Sequence, residues 1–287
     1  MTIASRLLAA ALCMSALACG QPRPSEGDPP PAASTNPPEQ PGGEAPASEG
    51  PLATEPELPV AANLHYLEIV LGGAKPDDPL PMIVAIHGLG DDPENFGHLL
   101  ETFQEPARLI LPRGLDPRDA GGWSWFPLRA RDADVAALAS GIDRAGDEIA
   151  KGVAVLVTQR PTLGKPVVTG FSQGGMLSFA IAIDHPELVS AALPVGGWLP
   201  PPLLPADRAP ADAPAILAFH GTDDTAVRHE PTVQSVAQLV ERGWHVTLKS
   251  YDGVGHVITP EIHRDLTDGL VDAIRRASRS KPEKKAG

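Results

Sequence analysis

The sequence predicts an α/β domain in which helices cover both faces of a mostly parallel central sheet. Short apolar runs of strand length alternate with longer segments of helical pattern from residue 61 to residue 280. Several of these short runs are apolar throughout, which is typical of parallel strands that are buried on both faces. Connections are short apart from residues 113–130 and 197–213, so we expect no large lid.

The predicted elements alternate along the chain, so that crossover connections should produce parallel strand pairs. Strands are predicted near residues 65–71, 82–86, 107–111, 166–169, 190–195, 215–219 and 245–251. Helices are predicted near residues 93–104, 132–159, 174–184, 231–242 and 260–277. Loops that follow the carboxyl ends of such strands are where open α/β sheets place their sites.

The segment at residues 170–175 predicts a catalytic nucleophile. It reads Gly-Phe-Ser-Gln-Gly-Gly, follows an apolar run, and precedes a helical pattern. A serine on such a sharp strand-to-helix turn is lifted out of the sheet, and glycines stand where side chains would collide with the backbone. We therefore predict Ser172 as the nucleophile. The alternative is a glycine-rich turn that happens to carry serine.

A serine nucleophile needs N–H groups that stabilise the oxyanion of its tetrahedral intermediate. The apolar run at residues 80–86 ends in His87-Gly88-Leu89-Gly90, and a turn of this kind can offer the backbone N–H of Leu89. The second donor is predicted to be the N–H of Gln173, directly after the nucleophile. We expect His87 to shape the loop rather than to transfer protons.

The acid and the base are predicted after later strands. The run at residues 215–219 ends in His220-Gly221-Thr222-Asp223-Asp224, and the residues alone leave both carboxylates open. His256 follows the last predicted strand on a loop that contains glycine. An imidazole there can approach an exposed serine oxygen, so His256 is the predicted base.

Taken together, these motifs resemble one branch of the α/β-hydrolase superfamily, the phospholipase/carboxylesterase family, which includes the acyl-protein thioesterase-like enzymes. The resemblance spans residues 64–277, and it implies the α/β-hydrolase fold. The family places its acid four residues after the histidine of the His-Gly motif, which selects Asp224. It also implies roles for Ser172 and His256 as nucleophile and base, and for the amides of Leu89 and Gln173 as the oxyanion hole.

This sequence departs from the family pattern beside the expected site. Arg228 stands where the family commonly has proline, and Val257 stands where a small polar residue is usual. Neither change removes a catalytic atom, so both bear on substrate preference rather than on activity.

The resemblance implies a serine carboxylesterase that hydrolyses small or acyl-chain esters, or thioesters, through an acyl-enzyme intermediate. No cofactor is expected, because the sequence shows no metal-ligand spacing and no phosphate loop that ends in lysine. Two other readings stay open: a polyester depolymerase or peptidase on the same fold, and a non-catalytic binding lipoprotein.

Aromatic residues are scarce in this chain and cluster near the expected site. Trp123, Trp125, Phe126 and Trp198 are predicted to form an apolar wall for an acyl chain or a small ester. The alternative is ordinary packing of the loops that carry them.

The first 60 residues predict export. Arg6 precedes a short apolar stretch, which makes residues 1–18 a signal peptide, too short to span a membrane. The segment around Cys19 resembles a bacterial lipobox, so Cys19 is the predicted lipidation site. Residues 19–60 are rich in proline and acidic residues, and they are predicted to be a disordered tether. The alternative is simple signal cleavage, which would give a secreted or periplasmic enzyme.

Charge and cysteine content narrow the set of partners. The formal net charge is −13, which disfavours nucleic acid and anionic lipid surfaces. Membrane contact is therefore expected only through the lipid anchor, and the oligomeric state stays open. Both cysteines, Cys13 and Cys19, precede the domain, so the domain holds no thiol nucleophile. Residues 281–287 are predicted to be a flexible tail.

Overall fold

The structure is a computed structural model that describes residues 57–279. The predicted signal peptide at residues 1–18, Cys19, most of the predicted tether and the predicted tail at residues 281–287 lie outside the described residues. The first strand begins at Val60, the last residue of the predicted tether, because Val60 pairs with His65 across a tight hairpin.

Ten strands are present in the described part of the chain. They are β1 (Val60–Ala61), β2 (Leu64–Leu71), β3 (Met82–Ile86), β4 (Ala107–Pro112), β5 (Asp116–Pro117), β6 (Trp123–Ser124), β7 (Val167–Phe171), β8 (Ala191–Val195), β9 (Ala215–Gly221) and β10 (Val246–Tyr251). Strands β5 and β6 form a small separate hairpin. The other eight form one sheet in the order β1-β2-β4-β3-β7-β8-β9-β10.

The sheet is mostly parallel, which confirms the predicted fold class. Every pair from β4 to β10 in the sheet order is parallel, whereas β1 and β2 pair antiparallel at one edge. Strands β3, β4 and β8 are buried along their whole length. Their apolar composition therefore reflects helices on both faces.

Five α-helices cover the sheet in the described residues: α1 (Pro93–Gly97), α2 (Val135–Gln159), α3 (Gln173–Asp184), α4 (His229–Glu241) and α5 (Pro260–Arg279). Side chains of α2, α3 and α4 contribute to the apolar core on one face, and side chains of α1 and α5 to that on the other. None of these helices combines the length and apolarity that a membrane span requires.

Two helices differ from their predicted bounds for local reasons. Helix α1 ends at Gly97, a poor helix former, and the chain tightens into a 3-10 turn at residues 98–100 instead of continuing to residue 104. Helix α2 starts at Val135 rather than residue 132, because the Asp134 carboxylate accepts the N–H of Ala137 at 2.9 Å and caps the helix.

The parallel strands decide where the functional side chains meet. Because β3, β7, β9 and β10 run in the same direction, the loops that follow them emerge at the same edge of the sheet. Those loops carry the predicted oxyanion turn, nucleophile, acid and base. The fold therefore gathers distant parts of the sequence at the carboxyl edge of the sheet. No large lid covers them among residues 57–279.

Candidate active site

Ser172 occupies a strained turn between β7 and α3. Its backbone has φ 57° and ψ −115°, a left-handed conformation that is rare for a residue with a side chain. The N–H of Ser172 donates to the carbonyl of Val195 at 3.0 Å, which holds the turn against β8.

Glycines allow this turn to pack closely. A Cβ on Gly170 would lie 2.5 Å from the Gly174 carbonyl oxygen and 2.6 Å from that of Ile86, and a Cβ on Gly174 would collide with the Ile86 carbonyl. The sequence around Ser172 is therefore dictated by backbone contact, as the elbow motif predicts.

Three side chains from three loops form one hydrogen-bonded chain. Nε2 of His256 lies 2.9 Å from Oγ of Ser172, and Nδ1 of His256 lies 2.7 Å from Oδ2 of Asp224. With the Nδ1 proton donated to the carboxylate, Nε2 presents a lone pair to the serine hydroxyl. The predicted nucleophile, base and acid thus come together although 84 residues separate Ser172 from His256.

Asp224 is held by bonds to both of its oxygens. Its Oδ1 accepts the N–H groups of Ala226 and Val227, at 2.9 and 2.8 Å. Burial raises the pKa of Asp224, but hydrogen bonds from His220, His256 and the Val227 backbone outweigh burial and hold that pKa well below its usual range. The carboxylate is therefore charged at neutral pH.

The neighbouring carboxylate has a different environment. Asp223 is exposed, and its Oδ1 accepts a hydrogen bond from the Thr222 hydroxyl at 3.2 Å. Of the two adjacent acids, Asp224 is the one that contacts His256.

His220 supports the acid, a role that the sequence analysis did not assign. Its side chain is buried, and its Nε2 lies 2.8 Å from the Val227 carbonyl and 3.4 Å from Oδ2 of Asp224. The spacing of four residues between His220 and Asp224 was the available signal, because it places both ends of one turn together.

Phe171 is a second residue that sequence reasoning missed. Its ring stacks on the imidazole of His256, with 4.6 Å between ring centroids and 28° between planes. Phe171 occupies the variable position before the serine in the elbow motif, so the motif itself gives no signal for this contact. The ring covers one face of the imidazole and limits its rotation.

The predicted oxyanion donors flank the nucleophile. The loop of Leu89 lies over the elbow, since a Cβ on Gly88 would be 3.4 Å from Cβ of Ser172. Gln173 is the first residue of α3, so its N–H lacks an intrahelical acceptor. Within residues 57–279, no acceptor is recorded for the N–H of Leu89 or of Gln173.

The side chain of Gln173 ties a second loop to this site. Its Oε1 accepts the N–H of Trp125 at 3.1 Å, and its Nε2 donates to the carbonyls of Phe126 at 2.8 Å and Leu128 at 3.4 Å. The loop that leads into α2 is thus fixed to the residue whose N–H borders the nucleophile.

His87 performs the structural role that we expected of it. It is fully buried, and its Nε2 accepts the N–H of Gly114 at 3.0 Å. Its own carbonyl accepts Nε1–H of Trp125 at 3.0 Å. Burial lowers the pKa of His87, which favours the neutral ring that this acceptor role requires.

A pocket of about 240 Å³ opens beside the nucleophile. Ser172, His256, Leu89 and Gln173 line it, together with apolar Met176 and Val227 and the segment at residues 129–131. The pocket is small, mostly apolar, and contains both the nucleophile and the predicted oxyanion donors. It suits a short acyl group or a small ester.

The four aromatic residues predicted to wall this pocket lie elsewhere. Trp125 and Phe126 are fully buried and Trp198 is 9% exposed, all within the core. Trp123 packs under the guanidinium of Arg113, whose Cζ is 4.0 Å from the ring centroid. None of the four lines the pocket. The prediction of an aromatic wall is not met, because Gln173 and His87 draw the loop inward against the core.

The site offers no cluster of metal ligands. No group of three or more His, Cys, Asp or Glu side chains among residues 57–279 is arranged to hold a metal ion. The acids that follow Leu89 are engaged locally: Asp91 accepts from the side chain of Asn95, and Asp92 caps α1.

Known proteins share both the sequence pattern and the fold. The family model described as Phospholipase/Carboxylesterase matches residues 67–271. An acyl-protein thioesterase 1 of Gibberella zeae is 27% identical over 62% of this chain and 84% of its own length. A carboxylesterase of Arabidopsis thaliana is 33% identical over 32% of this chain and 41% of its own length.

A solved structure extends the likeness to the whole fold. The crystal structure of acyl-protein thioesterase 2 of Zea mays has a TM-score of 0.59, 24% sequence identity, and coverage of 73% of this chain and 99% of that one. The family model spans most of the described domain, including both the elbow and the His256 loop. The chain therefore belongs to the phospholipase/carboxylesterase family of α/β hydrolases.

Proposed function

We propose that this protein is a serine carboxylesterase that hydrolyses small or acyl-chain esters, or thioesters, through an acyl-enzyme intermediate. The observation that carries the proposal is the pair of hydrogen bonds from Ser172 through His256 to Asp224. Relatives named as carboxylesterases and acyl-protein thioesterases support the same class of activity.

The first half-reaction forms the acyl-enzyme. Oγ of Ser172 attacks the ester carbonyl as Nε2 of His256 takes its proton. The oxyanion that forms is stabilised by the N–H groups of Leu89 and Gln173, each contributing about 3 kcal/mol to the transition state. His256 then gives its proton to the leaving alcohol or thiol.

The second half-reaction releases the acid. Water replaces the leaving group, donates a proton to Nε2 of His256, and attacks the acyl carbon. Collapse of the intermediate returns the proton to Ser172. Asp224 stays ionised throughout and stabilises the imidazolium in both halves.

The other readings are separable by substrate and by labelling. A peptidase on this fold would cleave a peptide amide and a polyester depolymerase would release soluble products from a polyester film, whereas a carboxylesterase for small esters would do neither. A non-catalytic binding protein would cleave none of these substrates. Retention of all three triad side chains in bonding distance favours catalysis over binding.

Covalent labelling by a fluorophosphonate is the direct test. We expect the purified protein to gain one adduct, located on Ser172 by peptide mass spectrometry, and to lose ester hydrolysis in parallel. Ser140→Ala is the matched control, because Ser140 is an exposed serine on α2. Labelling of the Ser172→Ala protein at the wild-type rate would contradict the proposal.

We further propose that Cys19 is lipidated and anchors the enzyme to the bacterial cell envelope. The small-residue segment before Cys19 and the proline-rich stretch after it support this. In cells fed an alkyne fatty acid, wild-type protein should be labelled and partition into detergent. Cys19→Ala should abolish both, whereas Cys13→Ala should change neither. Labelling that survives Cys19→Ala would refute the anchor.

A further inference from the structure

Two arginines line the pocket that holds the nucleophile. Arg129 and Arg131 belong to its wall together with Ser172 and His256. Both are exposed, and within the described residues neither guanidinium has a carboxylate in ion-pair range or a recorded hydrogen bond. Each therefore presents its charge to whatever enters the pocket.

The segment that carries these arginines is fixed to the catalytic region. The side chain of Gln173 donates to the carbonyls of Phe126 and Leu128, so residue 129 directly follows an anchored position. The backbone N–H of Gln173 is one of the two proposed oxyanion donors. The backbone that leads into Arg129 is thus tied to the residue that borders the nucleophile.

Nearby carboxylates are occupied elsewhere. Oδ2 of Asp132 accepts the backbone N–H of Arg129 at 2.7 Å, and Asp134 caps α2. Asp91 and Asp92 bond to Asn95 at the start of α1. These bonds turn the carboxylates toward backbone and Asn95 groups, and within the described residues none of them lies in ion-pair range of Arg129 or Arg131.

A third arginine lies against the oxyanion loop. The guanidinium of Arg118 packs against Gly90, where a Cβ would collide with it. The chain as a whole carries a formal net charge of −13. Exposed arginines beside a mostly apolar pocket supply local positive charge in an acidic protein, and such charge attracts an anion.

We propose that Arg129 and Arg131 form an anion-binding subsite, and that the preferred substrates are esters bearing a carboxylate or phosphate group. Guanidinium groups bind both anions through paired N–H donors. The inference rests on the proposed esterase function and adds the substrate class. The arginines bind the anionic group and so orient the ester, which Ser172 and water then hydrolyse to an acid and an alcohol.

Matched pairs of soluble esters test this directly. Ethyl hydrogen adipate carries a carboxylate on its acyl chain and is compared with neutral ethyl hexanoate. In 4-acetoxybenzoate the carboxylate is on the leaving group, and its methyl ester is the neutral partner. A phosphate replaces the carboxylate in 4-acetoxyphenyl phosphate, compared with 4-acetoxyanisole. We expect the charged member of at least one pair to have a kcat/KM about 10- to 100-fold higher, the range for a hydrogen bond to a charged group.

Variants connect that preference to the two arginines. The Arg129→Gln/Arg131→Gln double variant should lower the charged-to-neutral ratio of kcat/KM at least about fivefold. The Arg129→Lys/Arg131→Lys variant should give an intermediate ratio, because the charge is retained but the paired N–H donors are lost. Arg279→Gln is the matched control, since Arg279 is an exposed arginine at the far end of α5. The wild-type preference should also fall as salt screens the charges.

The outcomes separate this inference from the esterase function. Preference in the carboxylate pairs or in the phosphate pair alone identifies the anion and supports the subsite. Hydrolysis of every pair without charge preference, or an equal loss of charged and neutral ester in the glutamine variant, would overturn the subsite and leave the esterase intact. No hydrolysis and no fluorophosphonate labelling would overturn the esterase itself.

Discussion

The sheet has a cavity at each end, and the two cavities differ in size and in chemistry. The one at the amino ends of β8, β9 and β10 has a volume of about 630 Å³ and is lined by residues such as Ile216, Trp244 and Val246. The one at the carboxyl end measures about 240 Å³ and contains Ser172 and His256. His245 and Thr247 line the larger cavity, but within residues 57–279 no hydrogen bond joins them as one joins Ser172 to His256.

Strand direction explains the difference better than volume does. At the carboxyl ends, β3, β7, β9 and β10 each lead through a loop to the start of a helix, whose free N–H groups lie at the same edge. At the amino ends, helices finish and strands begin, so helix carbonyl groups rather than free N–H groups face that edge. The nucleophile, the base and the free N–H groups therefore lie together at the smaller cavity, and substitutions there should have larger effects on catalysis than substitutions at the larger one.

The largest effect is expected at the nucleophile. Ser172→Ala should lower kcat for a short-chain ester by at least ~10⁴, because the triad acts as a unit. His245→Ala is the counterpart at the other end, since His245 lines the larger cavity, and its kcat/KM should stay within about twofold. Initial rates with an activated ester measure both. Comparable losses in the two variants would show that the chemistry is not confined to the carboxyl end.

The next effect separates two adjacent carboxylates. Asp224→Asn should lower kcat by about 10³- to 10⁴-fold, because the amide no longer fixes the His256 tautomer. Asp223→Asn should change it little, since Asp223 is exposed and contacts Thr222. Hydrogen bonds lower the pKa of Asp224 and keep its carboxylate charged. Because Asp223 does not contact His256, Asp223→Asn should leave the pH–rate profile unchanged. Equal losses would mean that the acid is misassigned.

A smaller effect is expected where Phe171 contacts the imidazole. Phe171→Ala should lower kcat roughly 10- to 100-fold with a lesser effect on KM, because His256 loses the ring that orients it. Phe171→Tyr should restore most of the rate, since the stacking surface returns. A purely structural role would instead show as lowered thermal stability with kcat intact in the folded fraction.

The smallest effect concerns stability at the opposite end of α3. Desolvation by the surrounding protein, together with the charge of Asp143, raises the pKa of Asp184 to about 6, although much of this side chain stays exposed to solvent. Because the folded-state pKa exceeds the usual value, ionisation costs stability as pH rises through about 6. Asp184→Asn should therefore raise the free energy of unfolding at pH 8 by at most about 1 kcal/mol, reduced by solvent screening. Denaturant titration at pH 8 and pH 4 measures it.

The control for that change is a neighbouring acid. Glu187→Gln removes an exposed charge of the same sign near Asp184 and should leave the unfolding free energy nearly unchanged at both pH values. A stabilisation of Asp184→Asn that is equal at pH 4 and pH 8 would show that ionisation is not its cause.

Backbone-determined features were predictable from the sequence. Glycines that contact other backbone atoms indicate the elbow, and short apolar runs indicate the parallel sheet. The choice of Asp224 needed more than the residues, since Asp223 stands beside it and only the family spacing distinguished them. The structure agrees with that spacing through the contact to His256.

Features that depend on the path of long loops were not predictable. The aromatic residues of the loop at residues 123–126 were expected at the pocket, yet hydrogen bonds to Gln173 and His87 direct them inward. The same anchoring brings Arg129 and Arg131 to the pocket, which composition alone gave no reason to expect. Tertiary hydrogen bonds between distant segments set both outcomes.

Gln173 has two roles. Its side-chain amide holds the loop at residues 125–128 by hydrogen bonds, and its backbone N–H borders the nucleophile. A change in the loop that shapes the pocket should therefore also affect the rate of hydrolysis. A loop transplanted from a relative would change substrate preference without lowering turnover only if it kept an N–H and a carbonyl where Trp125 and Phe126 now supply them. A graft that lost those partners would disturb turnover for every substrate, whatever its charge.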